Sequence, residues 1–180
     1  MNLTNMAAEV EQVNKEHGWY DDERTFCELI ALLHSEVSEA LEAYRQWGLD
    51  DATVNAQLDM PLQKPEGVGS EFADILIRLL DMSKRFGVDL REEVANHPGR
   101  FGINVQFGDS ACYMHMHISH LAFAAEDTPW EAEPIGPYYA AIFVYLVQWS
   151  VFCGIDLEAE YARKLAYNKT RPYRHGGKKL

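Results

Sequence analysis

Between Thr25 and Arg45 the apolar residues fall at Leu29, Leu32, Leu33, Val37, Ala40, Leu41 and Tyr44. Steps of three and four put these positions on one side of a helix, so a helix with that side turned to a core is expected. Farther along, one pattern occurs twice. Glu71–Ala95 and Tyr138–Ala162 align at an offset of 67, with Gly87-Val88-Asp89-Leu90 on Gly154-Ile155-Asp156-Leu157 and Leu79 on Leu146. Each copy reads as a long helix, a glycine stop, an aspartate N-cap and a second helix. The first copy carries Asp74, Arg78, Asp81, Lys84 and Arg85, whereas Ile135 to Ile155 holds no charged residue. A helix apolar on every side either spans a membrane or lies in a core, and this stretch is long enough to span. Gly136, Pro137, Gln148, Ser150 and Gly154 interrupt it, and its partner copy is strongly charged. Tyr138–Cys153 is therefore expected as a central core helix, with no membrane as partner.

The repeat extends upstream. Ser35-Glu36-Val37-Ser38-Glu39-Ala40 resembles Met116-His117-Ile118-Ser119-His120-Leu121 at an offset of 81. The offsets differ by 14 (81 against 67), which gives the first copy a longer loop at Gly48–Ser70, where Pro61, Pro65, Gly67 and Gly69 act as breakers. No set of alternating strands is visible. The expected fold is all-α: one helical bundle over residues 1–180, built from a degenerate internal duplication. The first repeat covers about 25–96, a connector with Pro98, Gly99, Gly102 and Gly108 about 97–110, the second repeat about 111–163 and a basic tail 164–180.

Composition narrows the class. The chain of 180 residues is 47% apolar and 24% charged, which suits a globular domain and not a disordered one. A net charge of −12 argues against a nucleic-acid partner. Cys27, Cys112 and Cys153 are far apart with no CxxC, so neither a disulfide framework nor a cysteine zinc site is expected. With no secretory leader at Met1–Val10, a cytoplasmic location is expected. The charge is uneven. Residues 161–180 hold Arg163, Lys164, Lys169, Arg171, Arg174, Lys178 and Lys179 and no acid, leaving nine basic against 28 acidic side chains, −19, before them. Either the tail is a solvated end drawn to its own acidic surface, or the site is divided, with carboxylates for cations and the tail for phosphate.

Two carboxylate pairs sit at helical spacing. Glu36 and Glu39 project from one face, as do Glu71 and Asp74 at the head of the next long helix. On a core-facing stripe such like-charge pairs need neutralisation. Four carboxylates converging between two helices would suit hard, oxygen-seeking cations such as Mg²⁺ or Mn²⁺. The spacing alone is equally that of two solvated acidic faces. A ferritin-like di-iron bundle would require Glu-x-x-His, which the sequence lacks.

The run His34-Ser-Glu-Val-Ser-Glu-Ala-Leu-Glu-Ala-Tyr-Arg45, followed by Lys64-Pro-Glu-Gly-Val-Gly-Ser-Glu-Phe-Ala-Asp-Ile-Leu-Ile-Arg78, resembles the all-α nucleoside triphosphate pyrophosphohydrolases. This is the MazG-like superfamily, which includes the dimeric dUTPases. Its ExxE and later ExxD are both present, and Lys164-Leu-Ala-Tyr-Asn168-Lys-Thr-Arg171 resembles its basic phosphate-side segment. The resemblance covers about 17–96 and 138–178. It implies a Mg²⁺-dependent enzyme that cleaves a (d)NTP at the α-phosphorus to (d)NMP and pyrophosphate, clearing unwanted nucleotides. Glu36, Glu39, Glu71 and Asp74 would be the metal ligands, with Glu39 as catalytic base. Lys164, Asn168 and Arg171 would hold the β- and γ-phosphates, with Arg174 and Lys178 on a basic flap, and His17 and Trp19 would lie at the base.

The chain departs from single-copy members in one respect. The first copy ends Ala95-Asn96-His97-Pro98 without the lysine, and the basic segment follows the second copy, where Tyr138 and Ala141 stand for Glu71 and Asp74. The resemblance implies dimers of bundles; duplication would make a single-chain pseudo-dimer, and a homodimer completing the site stays open. His117 and His120 take the places of Glu36 and Glu39, and with His115 and Cys112 they suggest either a transition-metal site or a decayed copy of the acidic one. Two other functions stay open: a dUTP- or dUDP-specific hydrolase of the same superfamily, and a non-catalytic helical nucleotide-binding or regulatory protein.

Overall fold

The computed structural model describes residues 1–50, 64–97, 99–103, 106–126 and 135–177. Among the described residues the chain is helical, without a strand. In order the elements are α1 Leu3–Glu16, α2 Phe26–Trp47, α3 Val68–Arg85, α4 Leu90–Asn96, α5 Phe107–Glu126, α6 Gly136–Phe152, α7 Leu157–Asn168 and the short α8 Arg174–Gly177. The all-α expectation is met.

Local chemistry accounts for the element ends. Thr25 caps α2 in a capping box: the Glu28 N–H donates to Thr25 Oγ1 and the Thr25 N–H to the Glu28 carboxylate. The first helix was not expected, although its signal is present. Leu3, Met6, Ala7, Val10 and Val13 form its buried stripe, and Asn2 caps it. Two boundaries shift. α3 begins at Val68, so Gly69 and Ser70 belong to a buried helix end and not to the loop. α5 begins at Phe107, inside the expected connector, because that ring is buried against Phe72 and Trp149 and stacks on Tyr44 at 4.2 Å. Pro61 and Pro98 lie outside the described residues.

The two glycine stops are alike bond for bond. Gly87 and Gly154 have φ of +69° and +72°, the left-handed conformation that favours glycine at a helix C-terminus. The Val88 N–H donates to Ser83 O, and the Ile155 N–H to Ser150 O. Asp89 and Asp156 then cap α4 and α7 by accepting from the Glu92 and Ala159 N–H groups. On α2 and α5, Ser38 and Ser119 donate to the carbonyls of His34 and His115.

The enclosed helix is α3, a correction to the expectation that Tyr138–Cys153 is central. Fourteen of the 18 residues of α3 are buried, against nine of 17 in α6, whose Val151 and Phe152 are exposed. Charge does not keep α3 at the surface because its charged groups find partners inside. Asp81 accepts from Asn14, Tyr20 and Arg85. α3 packs against α1, α2, α6 and α7, while α4 packs on α6. Each short helix thus lies on the long helix of the other half. α2 and α5 form the seam, where His34 and His115 bring their Nδ1 atoms to 2.8 Å. No single helix among the described residues is long and apolar enough to cross a membrane.

Candidate functional site

The stripe of α2 that buries Leu29, Leu33, Val37 and Ala40 also buries Glu36. The first two turns of α3 bury Glu71 and most of Asp74, and the packing of α2 on α3 brings these carboxylates together. One oxygen from each of Glu36, Glu71 and Asp74 lies within 4.8 Å of the others. The solvated-face alternative does not describe these three groups: the Glu36 and Glu71 side chains are 6% and 7% exposed.

Two cations reach the cluster. Arg78 Nε donates to Glu36 Oε1 at 2.5 Å. Lys164, arriving on α7, is 1% exposed and places Nζ 2.6 Å from Asp74 Oδ2 and 3.9 Å from Glu71 Oε1. Nζ also donates to Ser70 Oγ at 2.7 Å, and that hydroxyl donates to the Pro65 carbonyl. Glu71 Oε2 is buried without a partner among the described residues. An orphaned buried carboxylate oxygen is costly unless something positive or a donor reaches it. Burial pushes the Glu71 carboxyl up to about 7, against the pull of Lys164. Burial also raises Glu36, against Arg78. For Lys164, burial alone would lower the ammonium pKa, but Asp74 and Glu71 outweigh it and the pKa is raised.

The cluster opens on a cavity of about 400 Å³. Glu36, Glu39, Asp74 and Asp81 line it together with Arg24, Lys64, Arg78, Asn168 and Arg171, and Trp19 and His175 lie among the remaining lining residues. Glu71 and Lys164 stand outside this lining, at the protein-facing side of the cluster. Neither Arg24 nor Arg171 has a carboxylate within ion-pair distance among the described residues. Burial and the neighbouring guanidinium groups of Arg85 and Arg78 lower the pKa of Arg24, whose guanidinium lies 4.7 Å over the Trp19 ring.

The residues expected at the site take different places. Glu36, Glu71 and Asp74 converge, while Glu39 is exposed one turn along α2 and lines the same cavity. Lys164 lies within the acidic cluster, and Asn168 and Arg171 face the cavity. Asn168 ends α7, so Arg171 lies just beyond the helix, which stops before Pro172. Arg174 turns to the α1–α2 loop, pairing with Asp22 at 2.5 Å and donating from Nε to the Gly18 carbonyl. Lys178 lies outside the described residues. Trp19 lines the cavity edge-on to His175, whereas the His17 ring nitrogen Nδ1 lies 2.8 Å from the Val13 carbonyl of α1. Among the described residues His115, His117 and His120 form no group that could share an ion, although the His117 and His120 rings lie edge to face at 6.5 Å. His115 stacks on His34, and His117 packs on Phe101 and Tyr145. Among the described residues the acidic trio is the group of three or more side chains arranged to share an ion. Arg24, Arg78 and Ser70 were not singled out from the sequence. A lone arginine or serine has no spacing that marks it, and their roles come from contacts across helices.

The chain matches no family model, no curated protein and no solved structure.

Proposed function

We propose that the chain is a divalent-cation-dependent nucleotide pyrophosphohydrolase of the MazG-like kind, turning a (d)NTP and water into (d)NMP and pyrophosphate. The observation that carries this reading is the buried trio of carboxylates, with its unpartnered Glu71 oxygen, beside a cavity walled by guanidinium groups. An all-oxygen donor set suits Mg²⁺ or Mn²⁺, which Glu36, Glu71 and Asp74 would hold. Bound there, the ion supplies a Lewis acid for phosphate oxygens and a water of lowered pKa.

The chain's own groups supply the rest. Arg24 and Arg171 offer forked donors to the β- and γ-phosphates. Arg78 holds Glu36 in place. Glu39, exposed at the mouth, accepts the proton of the attacking water as general base. The water oxygen bonds to the α-phosphorus, the α–β anhydride bond breaks and pyrophosphate leaves. Trp19 presents an aromatic surface to the base.

The duplication belongs to the same reading. Matching glycine stops, matching serine bonds and the exchange of short helices support a single-chain pseudo-dimer. On that view the basic segment follows the second copy because α7 crosses to the first copy's acidic helix.

The test incubates the protein with a nucleotide panel and Mg²⁺, assaying pyrophosphate separately from orthophosphate. Pyrophosphate release that Glu36→Gln and Asp74→Asn each abolish, with helicity retained, is expected. Turnover confined to dUTP or dUDP would select the narrower enzyme. No turnover would favour a binding protein, and orthophosphate alone would contradict cleavage at the α–β bond.

A further inference from the structure

The acidic centre already contains a cation of its own. Lys164 Nζ lies 2.6 Å from Asp74 Oδ2 and 3.9 Å from Glu71 Oε1, on the far side of the trio from the cavity. Its position is built. Ser70 is fully buried, its hydroxyl proton goes to the Pro65 carbonyl, and its lone pairs are therefore left to accept from Nζ. The stem of Lys164 is packed inside the bundle, 1% exposed, so a phosphate in the cavity meets Arg24, Arg78 and Arg171 first.

Charge gives this arrangement a consequence. With all three carboxylates ionised, the form that would bind a cation, Arg78 and Lys164 leave one negative charge. Glu39 adds a second, which one divalent ion balances. Without Lys164 the same oxygens would carry one more uncompensated charge in a poorly solvated place, where an ammonium a few ångströms from an incoming ion repels it strongly.

Resting on the proposed metal-dependent function, we propose that Lys164 is a tethered cation that fills one cation position of the acidic centre and so limits its divalent-ion load, and that it is not a phosphate ligand. The second half of the chain thereby sets the metal affinity of the first. Lys164 acts through Asp74 and Glu71 and is a positioning residue.

Mn²⁺ titration followed by the electron paramagnetic resonance of the free ion tests this on the full chain, with Tm read alongside. Lys164→Met is expected either to bind Mn²⁺ at least about tenfold more tightly or to take one further ion per chain. Its Tm, lowered without metal, should rise more on Mn²⁺ addition than that of the unsubstituted chain. If Lys164→Met does not fold, Lys164→Gln, which keeps a donor for Asp74 without the charge, serves the same comparison. Mn²⁺ binding to the unsubstituted chain with no gain in either variant overturns the role of Lys164 and leaves the metal reading standing. Mn²⁺ binding to none of the proteins overturns the metal reading, and the tethered-cation role with it. Binding to the variant alone supports the proposal, since the lysine then holds the position outright.

Discussion

Glu71 and Arg24 illustrate how position gives a common side chain its chemistry. Glu71 is one of 28 acids, yet it has a buried oxygen with no partner among the described residues and a pKa raised to about 7. Arg24 is an unremarked residue before the Thr25 cap, yet it faces the cavity over Trp19 with no carboxylate at ion-pair distance among the described residues. A guanidinium of this kind is free to bind an anion at no cost of breaking an ion pair. Arg24→Met should therefore lower kcat/KM for a nucleoside triphosphate by about tenfold or more, mainly through KM, while leaving helicity unchanged. Circular dichroism and steady-state kinetics check this; an unchanged KM would remove Arg24 from the phosphate wall. The acidic residues were legible because ExxE and ExxD have helical spacing. Arg24 and Arg78 were not, because a single cation has no period and its meaning lies in a partner far along the chain.

The helices and their connections show a second kind of dependence. The segment after α7 is held in the left-handed region at Arg174 and His175, with φ of +46° and +50°, costing about 1–2 kcal/mol per residue. It is held by contacts to the α1–α2 loop. The Arg174 N–H donates to the His17 carbonyl, Arg174 Nε to the Gly18 carbonyl, and Tyr173 donates to Asp21. Gly18 makes this approach feasible: its φ is +76°, and a Cβ there would stand 2.1 Å from Tyr173 Cε2. Gly18→Ala should undock the segment and destabilise the chain by about 1 kcal/mol or more. Denaturant unfolding reads the stability, and amide exchange at 170–177 reads the undocking; protection equal to that of the unsubstituted chain would show the loop yielding instead. Of these elements, α2 and the glycine-stop pairs follow from periodicity and caps. The early starts of α3 and α5 do not, since Ser70 and Phe107 are recruited into helices by partners on other elements.

Across the molecule, the two halves meet along α2 and α5, where His34 faces His115, and His117 lies close by against Phe101 and Tyr145. Burial lowers the pKa of all three below the ordinary 6.5, helped at His34 by His115 and at His117 by His120 and His97. The unfolded chain therefore takes up protons at a higher pH than the folded one. Their contribution to stability is present above about pH 6.5 and is lost as pH falls through the lowered values. The histidine share of Tm should fall as pH is taken from 7.5 to 5.5, opposed by Glu71 and Glu36, whose raised carboxyls take up protons in the folded chain. His115→Gln should therefore make Tm less sensitive to acid in this window; a pH dependence unchanged by the substitution would remove His115 from it. Helix content, caps and the doubled pattern were determined by the sequence alone, because a helix is specified by neighbours within four residues and by the side chains at its ends. Which helix lies innermost, and that Lys164 lies among the carboxylates, was decided only by tertiary packing. Lys164 and Ser70 are 94 residues apart, and a contact at that range is set by how whole helices exchange between the two halves, a choice that leaves no mark in local spacing.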